Sequence, residues 1–188
     1  DYFSNWMFSF IGIGDPRLRK TSSIQWSKLL PFTNLLSMKA HSAFTIEAIL
    51  NKYFDGIQVR IEEYLGKMVH LDESQHVSLG RQNSTLGTNM SLGSRVFDRM
   101  ASFKLALGPL DYEHYRNFLP HGKYYRTLRE LVQFILKDQL SFDVDLSLKG
   151  GQIPQLGLKH DNTSQLGCSA WLGERLVQEM VIHQAGIA

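Results

Sequence analysis

Seven histidines and eighteen acidic residues are the groups in this chain that could hold a metal ion or move a proton, and their spacing decides whether they do. His70 and His76 flank an acidic loop with Asp72 and Glu73, and His114 and His121 flank the end of a predicted helix. Neither pair has the i, i+4 spacing that sets two imidazoles on one helix face around zinc, and a working site needs convergent, hydrogen-bonded ligands. These histidines read as surface side chains. Asp143 and Asp145 lie two apart and so share one strand face, as a carboxylate pair would. That face is opposite Phe142 and Val144, so it reads as solvated, and a catalytic acid there would need burial to raise its pKa. The sequence contains neither GxSxG nor GxxxxGK[ST], and the single cysteine, Cys168, has no evident histidine partner. One cysteine also excludes an intramolecular disulfide and a cysteine-based zinc site, which fits a reducing compartment. The expectation is a chain with no catalytic residue, no metal ligand and no cofactor. The alternative is a small cytoplasmic hydrolase or metal-binding protein built on His70, His76 or the Asp143/Asp145 pair.

Bulk composition narrows the classes further. With 43% hydrophobic residues, 188 positions can bury a core in one domain or two small ones. The net charge of +2 carries no concentrated basic stripe, so a nucleic-acid partner is not expected. Arg17, Arg19 and Lys20 form the only tight cluster and read as a solvated loop; Arg126 and Arg129 alone do not make a basic face. No apolar run approaches the roughly 20 residues of a membrane span, so no direct membrane insertion is expected. The apolar start lacks the basic segment of a signal peptide and opens at Asp1 inside a patterned element, which reads as a piece of a longer chain.

Periodicity supplies the elements. Tyr2, Phe3, Trp6, Met7 and Phe10 recur at helical spacing, predicting a helix over 2–11 closed by Gly12 and Gly14. The GxG there is no nucleotide loop: no strand precedes it, no third glycine comes after it, and Asp15-Pro16 reads as a break. Residues 24–30 and 32–38 predict two short helices split by Pro31. Ser42 is placed to cap a helix whose stripe is Ile46, Ile49, Leu50 and Tyr53, followed by alternating Ile57, Val59 and Ile61. A strand over Phe103–Leu107 is stopped by Gly108-Pro109, and Asp111 caps a short helix ending near Phe118. A second helix, with stripe Leu128, Leu131, Val132 and Ile135, precedes the fully alternating run from Leu140 to Leu148.

The stretch Leu79 to Phe97 sets three Leu-Gly pairs about one strand length apart, joined by Asn, Ser and Thr, and runs into Arg95-Val96-Phe97. Glycine after each leucine permits positive φ, so the backbone can reverse while the leucines stay pinned to a core. The pattern returns as Leu166-Gly167, Leu172-Gly173 and Arg175-Leu176. Val59 then aligns with Val144, Leu79 with Leu166 and Arg95 with Arg175, predicting two tandem helix-strand-loop-strand units. The expected architecture is α+β, with an N-terminal helical region (1–40), a first α/β repeat with a connecting helix (41–122) and a second repeat (123–188), each repeat with a small sheet. Trp171, between glycines on a loop, is placed either to plug a local core or to anchor a partner. Two such loops would make a bivalent adaptor.

The order and spacing of Leu-Gly-x-Arg-Val-x-Asp (92–98), Leu107-Gly108-Pro109-Leu110, Phe118-Leu119-Pro120, Phe142-Asp-Val-Asp-Leu and Leu166-Gly-x-x-x-Trp171-Leu172-Gly173 closely resemble the TssG (ImpH/VasB) family of type VI secretion baseplate subunits. Cys168-Ser169 departs from the bulky residue expected after that Leu-Gly. The resemblance implies a structural, non-enzymatic subunit of a phage-tail-like wedge, in the cytoplasm at the inner membrane, with TssF, TssE and TssK as partners. Joined to the repeat, it predicts that Leu79, Leu86, Met90 and Leu92 in one loop, and Leu166, Trp171 and Leu172 in the other, contact TssK. It also predicts that Trp6, Phe10, Ile46, Ile49 and Tyr53 pack with TssF in a core bundle.

Overall fold

The computed structural model describes residues 2–78, 80–100, 102–137 and 140–150, and the backbone alone of 180–184. Helix α1 spans Tyr2–Phe10, and its chain turns at Gly12, whose φ of 82° is a conformation that favours glycine. The next helix, α2 (Pro16–Thr21), corrects the reading of Asp15-Pro16 as a break. Asp15 accepts a hydrogen bond from the Arg17 amide at 2.8 Å, and proline in the first turn has no amide to leave unpaired, so the pair starts the helix. Pro31 also sits differently from expectation, inside a 3-10 helix (Trp26–Phe32) that leads into α3 (Thr33–Ser37). Helix α4 (Ala43–Tyr53) is as predicted: the Ser42 hydroxyl accepts from the Thr45 amide, and Ile46, Ile49, Leu50 and Tyr53 are all buried.

Strands and two further helices complete the described chain. They are β1 (Val59–Glu62), β2 (Lys67–His70), β3 (Arg95–Asp98), β4 (Ser102–Leu110), then α5 (Tyr112–Phe118) and α6 (Lys123–Leu136), then β5 (Ser141–Leu148) and β6 (Met180–Gln184). Strands β1, β4, β5 and β6 form one sheet in that order, with β4 and β5 parallel and the outer pairs antiparallel. A parallel pair cannot be joined by a hairpin, and α5 and α6 make the crossover. Leu105, Leu107, Val144 and Leu146 meet Leu128, Leu131, Val132 and Ile135 in a single apolar cluster that also takes in Phe8, Leu29 and Leu36. The class is therefore α+β, with helices first and small sheets after. The described elements of both predicted units build one sheet between them, and β2 and β3 make a separate two-stranded ribbon.

Two strand expectations need correction. Gly108-Pro109 does not stop β4, which continues to Leu110 with its register against β5 shifting between Leu107 and Leu110. Pro109 has no partner in that register, so its missing amide breaks no ladder bond. Asp145 is not on a wet face. It is only 7% exposed, and the Lys104 ammonium lies 3.1 Å from its carboxylate and 3.5 Å from that of Glu62.

The N-terminal helices are tied to the rest by specific contacts. The Ser23 amide and hydroxyl both donate to the Glu130 carboxylate, at 2.7 and 2.9 Å, and Trp26 packs edge-on against Phe134. The Gln25 amide donates to the Tyr53 hydroxyl at 2.8 Å, and the Lys137 ammonium donates to the carbonyls of Leu36 and Met38 at the end of α3. A cation on the last carbonyls of a helix satisfies acceptors that have no partner within it.

Candidate interaction surfaces

Between β1 and β4 the chain makes a long excursion. Its stem is the β2-β3 ribbon, registered Met68 to Phe97 and Val69 to Val96. Adjacent residues point to opposite faces, so each face carries one apolar cross-strand pair. Neither face is covered by the described residues: Met68 and Phe97 are each 54% exposed. Gly66 lies under the Phe97 ring, where any Cβ would collide.

Beyond the ribbon, Gly80, Gly87 and Gly93 all have positive φ, as their placement predicts. The two described leucines, expected to be pinned to a core, do the opposite. Leu86 and Leu92 are 85% and 80% exposed, while Met90 is half-buried. The loop is pinned instead by its amide side chains. Asn83 donates to the carbonyls of Ser74 and His76, Gln82 also donates to Ser74, and Asn89 accepts from the Thr85 amide. Polar groups close the loop on itself, and the apolar groups are left outside. Leu79, Leu166, Trp171 and Leu172 lie outside the described residues.

Helix α1 offers a second apolar surface. Tyr2, Phe3, Trp6 and Phe10 face solvent, whereas Phe8, on the other side, is buried under the Arg19 guanidinium, 4.5 Å from the ring centroid. Trp6 and Phe10 are thus free to meet another protein. Ile46, Ile49 and Tyr53 are not: the chain's own sheet and helices already cover them, so their assignment to a partner bundle does not fit this structure.

The groups that could do chemistry are dispersed. Among the described residues no three His, Cys, Asp or Glu side chains converge as metal ligands. A polar cleft is lined by Lys28, Asp55, His114 and Lys123, but the Lys28 ammonium donates to the Tyr53 carbonyl, and His114 lies 4.0 Å from the Asp111 carboxylate. Burial pushes the Tyr53 hydroxyl above its ordinary pKa, against the hydrogen bond it accepts from Gln25, so that phenol stays neutral.

The TssG family of type VI secretion matches residues 1–173. The chain belongs to that family. No curated protein sequence matches it. Its fold is similar to that of a chain in a TssK-TssF-TssG baseplate subcomplex determined by cryo-electron microscopy, with a TM-score of 0.79 at 17% identity, covering 99% of this chain and 78% of that one. A chain from a type VI secretion baseplate complex is also similar, with a TM-score of 0.57 at 17% identity, covering 87% of this chain and 46% of that one. The same fold is thus kept by chains with few residues alike. Among the described residues of this family member, no helix is long and apolar enough to cross a membrane.

One feature of this TssG-family chain has no sequence signal. Where the ribbon leaves the sheet, His41, Tyr64, Arg99 and Met100 surround a pocket. They come from three separate stretches of the chain, so no local motif could join them.

Proposed function

We propose that this chain is a structural subunit of the type VI secretion baseplate that docks a TssK-type partner on its ribbon and loop and packs the aromatic face of α1 against a TssF-type partner. The carrying observation is the exposure of Leu86 and Leu92 on a loop held shut by its own polar side chains. Burying a leucine is worth about 1.5–3 kcal/mol, and a loop that needs neither leucine for its own closure keeps both for a partner. The neighbour of similar fold comes from an assembly of TssK, TssF and TssG, which supplies the partner classes. Leu79 belongs to the same loop in sequence, and Leu166, Trp171 and Leu172 are its counterpart in the second repeat. Two contacts on one subunit multiply affinity through effective concentration.

Co-expression with the cognate TssK and TssF tests this. Leu86→Asp with Leu92→Asp is expected to abolish co-purification of TssK and keep TssF; Trp6→Asp with Phe10→Asp is expected to do the reverse. Full retention of both partners by both variants would remove the proposal.

A further inference from the structure

The pocket at the root of the ribbon has walls of Ile46, Ile61, Phe103, Leu136 and Leu140 and a volume of about 220 Å³. Its mouth is formed by both stems of the excursion, Glu63 and Tyr64 on the way out and Arg99 and Met100 on the way back. Tyr64 is 69% exposed and Met100 82%, so an apolar cavity opens between two apolar lips. Such a shape takes an anchor side chain.

Its polar groups indicate the chemistry that accompanies the anchor. Both ring nitrogens of His41 are shielded from solvent and have no hydrogen-bond partner among the described residues. Buried polar atoms are nearly always paired, and an apolar-walled pocket offers water few further partners. Arg99 holds its guanidinium 5.3 Å from the Phe97 ring centroid, and Lys137 adds a second positive charge near His41. Glu63 is the one carboxylate among the described residues of the rim. Burial, helped by Lys137, holds His41 below its ordinary pKa, so near neutrality it is uncharged and the positive charge at the rim is that of Arg99.

Resting on the reading of the ribbon as a docking element, we infer that this pocket is the socket for one leucine- or phenylalanine-sized side chain of the ribbon's partner, with a carboxylate beside it that meets the exposed Arg99. The ribbon then supplies reach, and the pocket at its base supplies the fixed point. Continuity favours this occupant, because the two stems that line the mouth are the two ends of the docking element itself.

The test measures affinity of the cognate TssK for the full chain and three variants, with Arg99→Lys as a conservative control. Ala43→Leu adds bulk at the pocket wall, Arg99→Glu reverses the rim charge at an exposed site, and Leu86→Asp disables the loop tip as a reference. Ala43→Leu and Arg99→Glu are each expected to weaken binding at least tenfold without moving the melting temperature. Arg99→Lys should recover most of the loss, and the Arg99→Glu defect should shrink as salt is raised. If Leu86→Asp weakens binding while both pocket variants stay within twofold of the parent, the socket is refuted and the docking ribbon survives. If Leu86→Asp has no effect but the pocket variants do, the socket stands and the loop reading falls. If none of the three matters, both are overturned.

Discussion

Removing Glu47 and Asn51 from α4 should open the outer edge of the sheet. Strand β1 is that edge, and its residues alternate in which way their backbone groups point. The Gln58 carbonyl accepts from Gly108 on β4, so Val59 and Ile61 point outward. Their amides do not go to water. Val59 donates to the Asn51 side-chain carbonyl at 2.6 Å and accepts from its amide at 3.3 Å, and Ile61 donates to the Glu47 carboxylate at 2.6 Å. Two side chains four apart on one helix thus stand in for a neighbouring strand, which keeps the edge from pairing with another chain. A neutral hydrogen bond contributes about 0.5–1.5 kcal/mol and one to a charged group about 1.5–3. Asn51→Ala loses two of the first kind and Glu47→Ala one of the second, so each should cost about 1–3 kcal/mol, less a few tenths regained from alanine's helix propensity. The two sites share one strand, so their effects should not add fully. Urea unfolding measures the loss, and amide exchange at Val59 and Ile61 should quicken by at least tenfold at unchanged protection of Leu105 and Leu107. The double variant should also self-associate with rising concentration. A double variant less than about 0.5 kcal/mol weaker, with Val59 and Ile61 still protected, would refute the reasoning, since surface changes of no consequence fall in that range.

Two ionic contacts should respond to pH in opposite directions. Burial alone would push the Glu130 carboxyl up, but hydrogen bonds from Arg126 and from the Ser23 amide and hydroxyl hold it below its ordinary pKa. Its stabilisation is therefore present above the ordinary carboxylate pKa and lost as pH falls through the lower folded value, so the stability gap between the parent and Glu130→Gln should close in acid. The hydrogen bond to Asp145 outweighs burial and raises the Lys104 pKa, so its contribution is complete below about pH 10.4 and fades as pH rises through the folded value. Lys104→Met leaves Asp145 buried without that ammonium and should cost about 3 kcal/mol at neutral pH by chemical denaturation. Leu86→Asp should leave the melting temperature within a degree or two, because its side chain contributes nothing to the chain's own core. The fluorescence difference between the parent and Trp6→Phe should be that of a water-exposed indole, shifting to shorter wavelength when TssF binds; a blue-shifted signal in the chain alone would contradict the exposed face.

The elements legible in sequence are those whose partner is close by and whose pattern has one period. The stripe Ile46, Ile49, Leu50, Tyr53 and the stripe Leu128, Leu131, Val132, Ile135 are both buried as read, and the Ser42 cap is formed. Strand β2 escapes a reading by pattern because Lys67-Met-Val-His has apolar residues on both faces and buries neither, so it has no alternation to detect. Asp145 misleads for a different reason. Alternation fixes which side of a strand a residue takes, but not whether that side stays wet, and Lys104 sits on a strand paired only through tertiary structure. Asp15-Pro16 carries two opposite signals, a stop for the preceding element and a cap plus first turn for the next one, and the second is realised.

The site is legible in a more restricted sense. The stripe on α1 and the stripe on α4 have the same spacing, yet the structure turns the first to solvent and the second inward. Periodicity states that a face requires cover; it does not state which molecule provides it. For α4 the cover is β1, six residues after the helix ends, and the strands beside it. For α1 nothing among the described residues covers Tyr2, Phe3, Trp6 and Phe10; an aromatic side chain buries roughly 150–250 Å² when covered, so the four together exceed the few hundred Å² beyond which an exposed apolar patch marks an interaction site. The Leu-Gly loop makes the same point with turns in place of a helix. Glycines and amide side chains fix its path, so leucine is not needed as an anchor, and Leu86 and Leu92 are left exposed as a face that the chain's own described residues do not cover.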